Sequence, residues 1–452
     1  MPVMQRIEGL FKSTFLRSVV LLAGGTAFAQ ALPILVMPML TRIYKPDEFG
    51  MLAVFSAFLG ITSVVAGLQY EVAIPIPELD ETAANLLGVA LFCIAVTSGL
   101  SAVAIALFSA EIANLLNLPS IRKFLWLLPI SIAGTGAYAA FQFWAVRKRA
   151  FPRIARTRLV QSLGGAVTQL LMGWAGTGAL GLITGQIVNN SAGFLGLGRG
   201  AVREDEKTLR GISIIGMKKA AADFKRFPKY TAIENFANVG AIQVPFLLIA
   251  NRVASAEVGF LMLGMRLMQA PMSLVGSAVS HVYYSHAVTE HRDGRLAEFT
   301  SNVIGNLARV GVGPLIFMGI IAPSVFMPVF GMGWQRAGVL VAWMTPWFVF
   351  QFLSSPVSMV LYVTSNQRAA MALQISGLIL RVVMVLIAAA AVAGHPVVES
   401  YALSGFVFYF GYLIVICRVS KITMRQLLKA CKCAIPFVSG WIIAGIIIVS
   451  IA

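Results

Sequence analysis

The chain is 452 residues long, 58% hydrophobic and only 12% charged, with a mean hydropathy of +0.83. A soluble domain carries roughly 25% charged residues, so the composition excludes one and predicts an all-α polytopic membrane protein. The formal net charge of +17 sits in short loops between apolar runs. Bias of basic residues toward the cytosolic side accounts for it, and no nucleic acid is expected as partner.

The first apolar run lies between Arg17 and Arg42, leaving about 24 residues free of ionisable groups to span a bilayer. It contains Gly24, Gly25, Gln30, Pro33 and Pro38. In lipid, Gly and Pro are tolerated where neighbouring groups re-satisfy the backbone, which reads as a bent helix beside a cavity. Lys12, Arg17 and Ala27-Phe28-Ala29 imitate a signal peptide, but the run continues to Leu40 and fits a retained helix better. Further runs follow at 50–76, 83–110, 122–146, 157–176, 178–198, 229–250, 256–284, 302–330, 337–364, 369–393 and 398–417. With the first they make about 12 spans, and a run at 433–452 is either a thirteenth or an interfacial helix.

Of the 35 Lys and Arg, 26 fall on one side if the N-terminus is cytosolic, which sets that orientation. The longest polar stretch divides the spans into two sets of six. The expected organisation is an N-terminal six-helix lobe at 1–198, a cytoplasmic amphipathic linker at 199–228 and a C-terminal six-helix lobe at 229–417. A basic segment with an extra apolar helix closes the chain at 418–452. Leu209, Ile212, Ile215 and Met217 give the linker an apolar side, as expected of a helix lying on the inner leaflet.

The halves repeat. Leu32-Pro33-Ile34-Leu35 returns as Val244-Pro245-Phe246-Leu247, and Phe49-Gly50-Met51-Leu52 as Val258-Gly259-Phe260-Leu261. Arg17 likewise pairs with Lys229. An even number of spans separates the copies, so the repeat is parallel, the arrangement that places a substrate path between two lobes. Pro33 and Pro245 are then candidate hinge points.

Cys93, Cys417, Cys431 and Cys433 form no disulfide framework, and Cys431-Lys432-Cys433 lacks further ligands for a metal. His281, His286 and His291 are spaced to scatter around a helix rather than to align, so no metal site is expected. No catalytic motif and no Gly-rich Lys loop for a nucleotide is present, so no enzyme activity and no cofactor is expected.

With these residues in view, the chain resembles the Wzx-type polysaccharide flippases of the multidrug/oligosaccharidyl-lipid/polysaccharide (MOP) exporter superfamily. The resemblance rests on Leu40-Thr41-Arg42-Ile43-Tyr44 with Pro46 and Phe49-Gly50, on Tyr70-Glu71-Val72-Ala73-Ile74 with Pro77, and on the run from Phe227 to Tyr284. Arg266-Leu267, Pro271 and Leu274-Val275-Gly276 are its most telling part. Gln69 departs from the family, which often has Arg before the Tyr-Glu pair. The resemblance implies two six-helix bundles in the bacterial cytoplasmic membrane. By alternating access they would move an undecaprenyl-diphosphate-linked oligosaccharide from the inner to the outer leaflet. It also implies membrane lipids, a polysaccharide polymerase and a chain-length regulator as partners, and either proton or sodium coupling or none. A membrane polymerase or glycosyltransferase of the same pathway, or an exporter of drugs or other lipids with this fold, are the competing readings.

Such a substrate calls for cations at the diphosphate and polar groups at the sugars. Arg donates in pairs to phosphate oxygens. Arg381 lies about 12 residues into its run, roughly 18 Å deep. With Arg266, Arg17 and Lys229 it makes the set of candidate cavity cations. Glu71 and Glu234 are candidates for coupling or counter-charge. Gln30, Gln243, Asn235, Asn238 and Gln269 are candidate sugar contacts, although polar pairing between helices explains each as well.

Overall fold

The computed structural model describes residues 14–272, 276–364, 366–391 and 397–451, with side chains of the first helix from Ala29 onward. Among the described residues every regular element is helical. Six stretches are long and apolar enough to cross a membrane, or up to eight if each of two bent pairs counts as one. The protein is therefore a multi-pass membrane protein. Among the described residues, helix covers most of each apolar run of the sequence, and several runs are divided.

Two compact units emerge. The first comprises residues 1–44 with 51–243, and the second 45–50 with 244–452. The first opens with α1 (Thr14–Ile43), a 30-residue helix that continues through Pro33 and Pro38, and then α2 (Pro46–Ser63). The run expected at 50–76 stops at Ser63, because Leu68 and Gln69 turn the backbone left-handed (φ 49° and 61°). The Gln69 side chain fixes that turn by donating to the Val64 carbonyl at 2.6 Å. Then come α3 (Asp80–Leu115), α4 (Leu128–Arg147), α5 (Phe151–Trp174) and α6 (Ala179–Ser191). Past Ala192 the chain re-enters helix as α7 (Gly193–Glu204).

Small residues set how closely these helices pack, since lipid supplies no hydrophobic drive between them. A Cβ on Gly165 would sit 2.8 Å from the Gly185 carbonyl, and one on Gly185 would sit 2.7 Å from that of Gly165. Gln169 bridges the same pair of helices, donating to Leu182 O at 3.2 Å, and Tyr44 at the end of α1 donates to Gln169 O at 2.6 Å.

The expected linker helix is three short helices rather than one. After α7, residues Glu206–Arg210 form one turn, and α8 (Ile214–Asp223) follows, capped by Ser213. Ile212 and Met217 pack over Gly88 of α3, and Asn85 accepts from the Ser213 amide at 3.1 Å. Ile214 and Ile215 remain exposed. The segment then enters α9 (Ala232–Arg252), which continues through Pro245.

The second unit contains α10 (Ser255–Pro271), α11 (Ser277–Arg292) and α12 (Leu296–Leu307). A π turn at Ala308–Val312 joins α12 to α13 (Gly313–Phe330). Then follow α14 (Gln335–Ser354), α15 (Gln367–Ala391) and α16 (Val397–Val419). Here the first turn of α2 lies against α10: a Cβ on Gly50 would collide with Ser255 and one on Gly259 with the Pro46 carbonyl. These are the two glycines that the sequence repeat places in register.

The basic tail is a helix capped by the Thr423/Gln426 box, α17 (Met424–Lys432), followed across a 55° bend by α18 (Ile435–Ile451). Trp441 of α18 packs over Gly313 and against Phe317, and Arg309 lies 4.4 Å over the Phe437 ring.

Candidate functional site

Helical spacing places Ala29, Gln30 and Pro33 on one face of α1, and Arg158, Gln161 and Ser162 on one face of α5. Thr135 and Tyr138 of α4 and Asn189 and Asn190 of α6 meet them around a cavity of about 500 Å³ inside the first unit. Ser162 Oγ of α5 donates to Ala29 O of α1 at 2.8 Å, and within α6 Gln186 Nε2 donates to Asn190 Oδ1 at 3.2 Å.

The lining is poorly satisfied by the protein itself. Thr135 Oγ1, the Tyr138 hydroxyl and Gln161 Nε2 are buried with no hydrogen-bond partner, and Gln161 is 3% exposed. Leaving such groups unpaired costs roughly 1–3 kcal/mol each, so a cavity lined this way suits a polar occupant. Among the described lining residues one side chain is charged, the half-buried Arg158.

Of the residues nominated from sequence, Gln30 and Pro33 line this cavity. The Arg17 side chain lies outside the described residues. Lys229 is exposed, 5.4 Å over its neighbour Tyr230. Glu234 and Asn238 are exposed on α9, whereas Asn235 is committed to the fold, donating to Gln69 Oε1 at 2.9 Å. Gln69, where the family often has Arg, is thus a packing amide. Glu71 is 7% exposed, packed under Gly67, and its Oε2 has no partner. The Gln243 side chain packs on Gly60, and Pro245 is buried within α9.

In the second unit Arg266 is half-buried and Gln269 exposed, both on α10. Arg381 is 7% exposed and enclosed by aromatic rings, 5.0 Å from Phe408, 5.7 Å from Trp347 and 5.9 Å from Tyr409. Its charge faces a cage rather than an open cavity, and cation–π attraction offsets part of the cost of burial.

Two ionic clamps were not visible from the sequence, where their cations counted only toward orientation. Arg147, its side chain 9% exposed, bonds Asp80 at 2.8 Å and donates to the carbonyls of Ile74, Pro77 and Glu78. Lys148 joins the same Asp80 to Asp205 of the linker, and Trp144 Nε1 donates to Asp205 at 3.0 Å. Burial alone would depress the Lys148 ammonium, but the two carboxylates outweigh it and hold its pKa above the usual value. In the second unit Arg336 bonds Glu257 at 3.1 Å and also reaches Glu399, joining the first turns of α10, α14 and α16.

The cavity residues Tyr138, Arg158, Gln161, Asn189 and Asn190 were also missed. Arg158 stands in sequence among the basic residues between two apolar runs, and the nominated Asn235, Asn238, Gln243 and Gln269 lie on other helices. Paired amides within the apolar runs at 157–176 and 178–198 were the available signal.

A family profile described as "Polysaccharide biosynthesis protein" matches residues 39–338. A succinoglycan biosynthesis transport protein of Rhizobium meliloti (strain 1021) is 23% identical over 316 residues. That match covers 67% of this chain and 59% of the relative's length. The lipid II flippase MurJ in an inward closed conformation shares the fold at a TM-score of 0.67, with 13% identity over 96% of this chain and 97% of that one. An inward-facing multidrug resistance MATE family transporter of the MOP superfamily does so at 0.64, with 14% identity over 87% and 96%.

Proposed function

This chain is a member of the polysaccharide biosynthesis protein family, and on that premise we propose that it is a flippase for a lipid-linked oligosaccharide. Its cargo is an undecaprenyl-diphosphate-linked repeat unit, carried from the inner to the outer leaflet of the bacterial cytoplasmic membrane. The relative from Rhizobium is named as a transport protein of polysaccharide biosynthesis, and the shared fold is that of transporters. The observation that carries the reading is the polar, unsatisfied cavity inside an apolar helical unit, which an anchor or a purely structural bundle would not retain.

Alternating access between lobes at 1–198 and 229–417, with the N-terminus cytosolic, belongs to the same proposal. Arg17, Lys229 and Arg266 are the diphosphate candidates. Arg381 holds the packing of its cage, and Glu71 is the candidate proton acceptor because its carboxyl is buried without a partner at Oε2.

The test is a deletion strain. Lipid-linked repeat units should accumulate on the inner leaflet, and the wild-type chain should restore surface polysaccharide where Arg266→Ala does not, at equal protein level. Single repeat units reaching the outer leaflet without polymerising would favour a polymerase instead and overturn the flippase.

A further inference from the structure

We infer that α17 is a docking surface for the headgroups of anionic phospholipids, laid against the membrane beside the span formed by α18. The inference concerns the bilayer around the protein and does not depend on the cargo.

Helical spacing divides α17 into three sides. Arg425, Lys429 and Lys432, four and three residues apart, share one side, and all three are exposed. Met424 and Leu428 form the strip next to it and are 69% and 63% exposed. The third side is held by the protein. Ser301 Oγ of α12 donates to Gln426 O at 3.2 Å, and a Cβ on Gly305 would sit 2.7 Å from the Ala430 carbonyl. A helix bound on one side, with a basic stripe beside an apolar strip on the others, fits the boundary between headgroups and acyl chains.

Charge and placement agree with this. Five cations lie between Arg418 and Lys432, and no Asp or Glu follows Glu399. Among the described residues none of Arg425, Lys429 and Lys432 forms an ion pair, not even with Glu298 in the first turn of α12. An acidic phospholipid supplies the missing counter-charge. The 17 residues of α18 carry no charge. At 1.5 Å per residue they extend about 25 Å, no longer than a hydrocarbon core of roughly 30 Å. The joint at Cys433 therefore stands at headgroup level, and the 55° bend between the two helices turns α17 toward the membrane plane.

The test uses the full chain in nanodiscs, of phosphatidylcholine alone or mixed equally with phosphatidylglycerol. A nitroxide on Leu428→Cys, in a chain also carrying Cys433→Ser, reports burial by its collisions with oxygen against those with a water-soluble nickel chelate. The signal of the Cys433→Ser chain alone is subtracted. The ratio of buried to exposed label should rise at least about fivefold in the mixed discs, the share of one cation at an anionic surface. High salt should remove the rise by screening, and so should Arg425→Gln, Lys429→Gln and Lys432→Gln combined, with melting in phosphatidylcholine unchanged. If the triple variant does not fold, each single substitution should lower the rise. An equal ratio in both discs would overturn the docking surface, as would a rise that survives these substitutions. Inorganic phosphate added to phosphatidylcholine discs should change nothing. A rise with phosphate alone would assign the cations to a free anion and overturn the lipid as partner.

Discussion

The two units are built from the same element, the apolar helix, and fill its inner face differently. In the first, glycines bring α5 and α6 to backbone contact, and beside that seam the helices part around amides and hydroxyls that the protein leaves unbonded. In the second, Trp347, Phe348, Tyr401 and Phe408 pack into an aromatic core, and its deep cation is closed over by rings, with Trp347 Nε1 and Arg381 Nε left unbonded there. Lipid tails are as apolar as leucine, so neither solution is driven by a hydrophobic effect between helices. Shape and polar satisfaction decide stability; both units leave some buried polar atoms unbonded, but Thr135 Oγ1, the Tyr138 hydroxyl and Gln161 Nε2 of the first belong to residues lining one shared cavity.

Trp347→Ala should produce the largest loss, about 3–5 kcal/mol as for other buried aromatics truncated in a core. The indole is 3% exposed, stacks on Phe348 at 5.2 Å and meets Tyr401 edge-on at 5.3 Å. Gly405 has no side chain because the indole occupies that space. Thermal melting in detergent measures it, and a drop no larger than that of a surface substitution would break the contrast between the units.

Arg147→Ala should come next, at about 2–3 kcal/mol, since it removes charge-assisted bonds to a carboxylate and strips four carbonyls of their donor. Limited proteolysis of the 74–80 loop reads the local effect. Faster cleavage there, with the rest of the chain protected, is the expected pattern. Unchanged cleavage would mean that Lys148 holds the loop alone.

The apolar runs were legible, because length and charge placement are one-dimensional, whereas the end of α2 at Ser63, inside a run read as continuous over 50–76, was not. Arg381 was legible as deep but not as caged: Phe408 and Tyr409 stand nearly thirty residues away on α16, and no pattern on α15 announces them. Arg147 was legible as one of a cluster of basic residues between two apolar runs, while its carbonyl partners depend on a loop geometry that composition does not encode. The cavity failed to show for a related reason. Its polar groups come in ones, twos and threes from four helices, and each alone reads as ordinary interhelical pairing.

A Cβ at Gly185 tests whether the close seam beside the cavity is needed. Gly185→Ala places a methyl 2.7 Å from the Gly165 carbonyl, so α5 and α6 must separate. Overpacking of this kind costs about 1–3 kcal/mol, visible as a lowered melting temperature. Unchanged melting would show that the helices part freely there.

The smallest effect on stability should come from Gln161→Leu, and it is the most informative. Leucine is close to glutamine in size but has no donor or acceptor. The exchange removes an amide nitrogen that is buried and unbonded, relieving roughly 1–3 kcal/mol of desolvation cost while creating no void. Melting should therefore stay the same or rise, and surface polysaccharide in a complemented deletion strain should fall. A fall in both would mean that the amide is bonded to the protein when the chain is in its membrane and belongs to the packing. A rise in stability with transport intact would show the polar lining to be dispensable. Only stability kept and transport lost assigns the amide to a ligand.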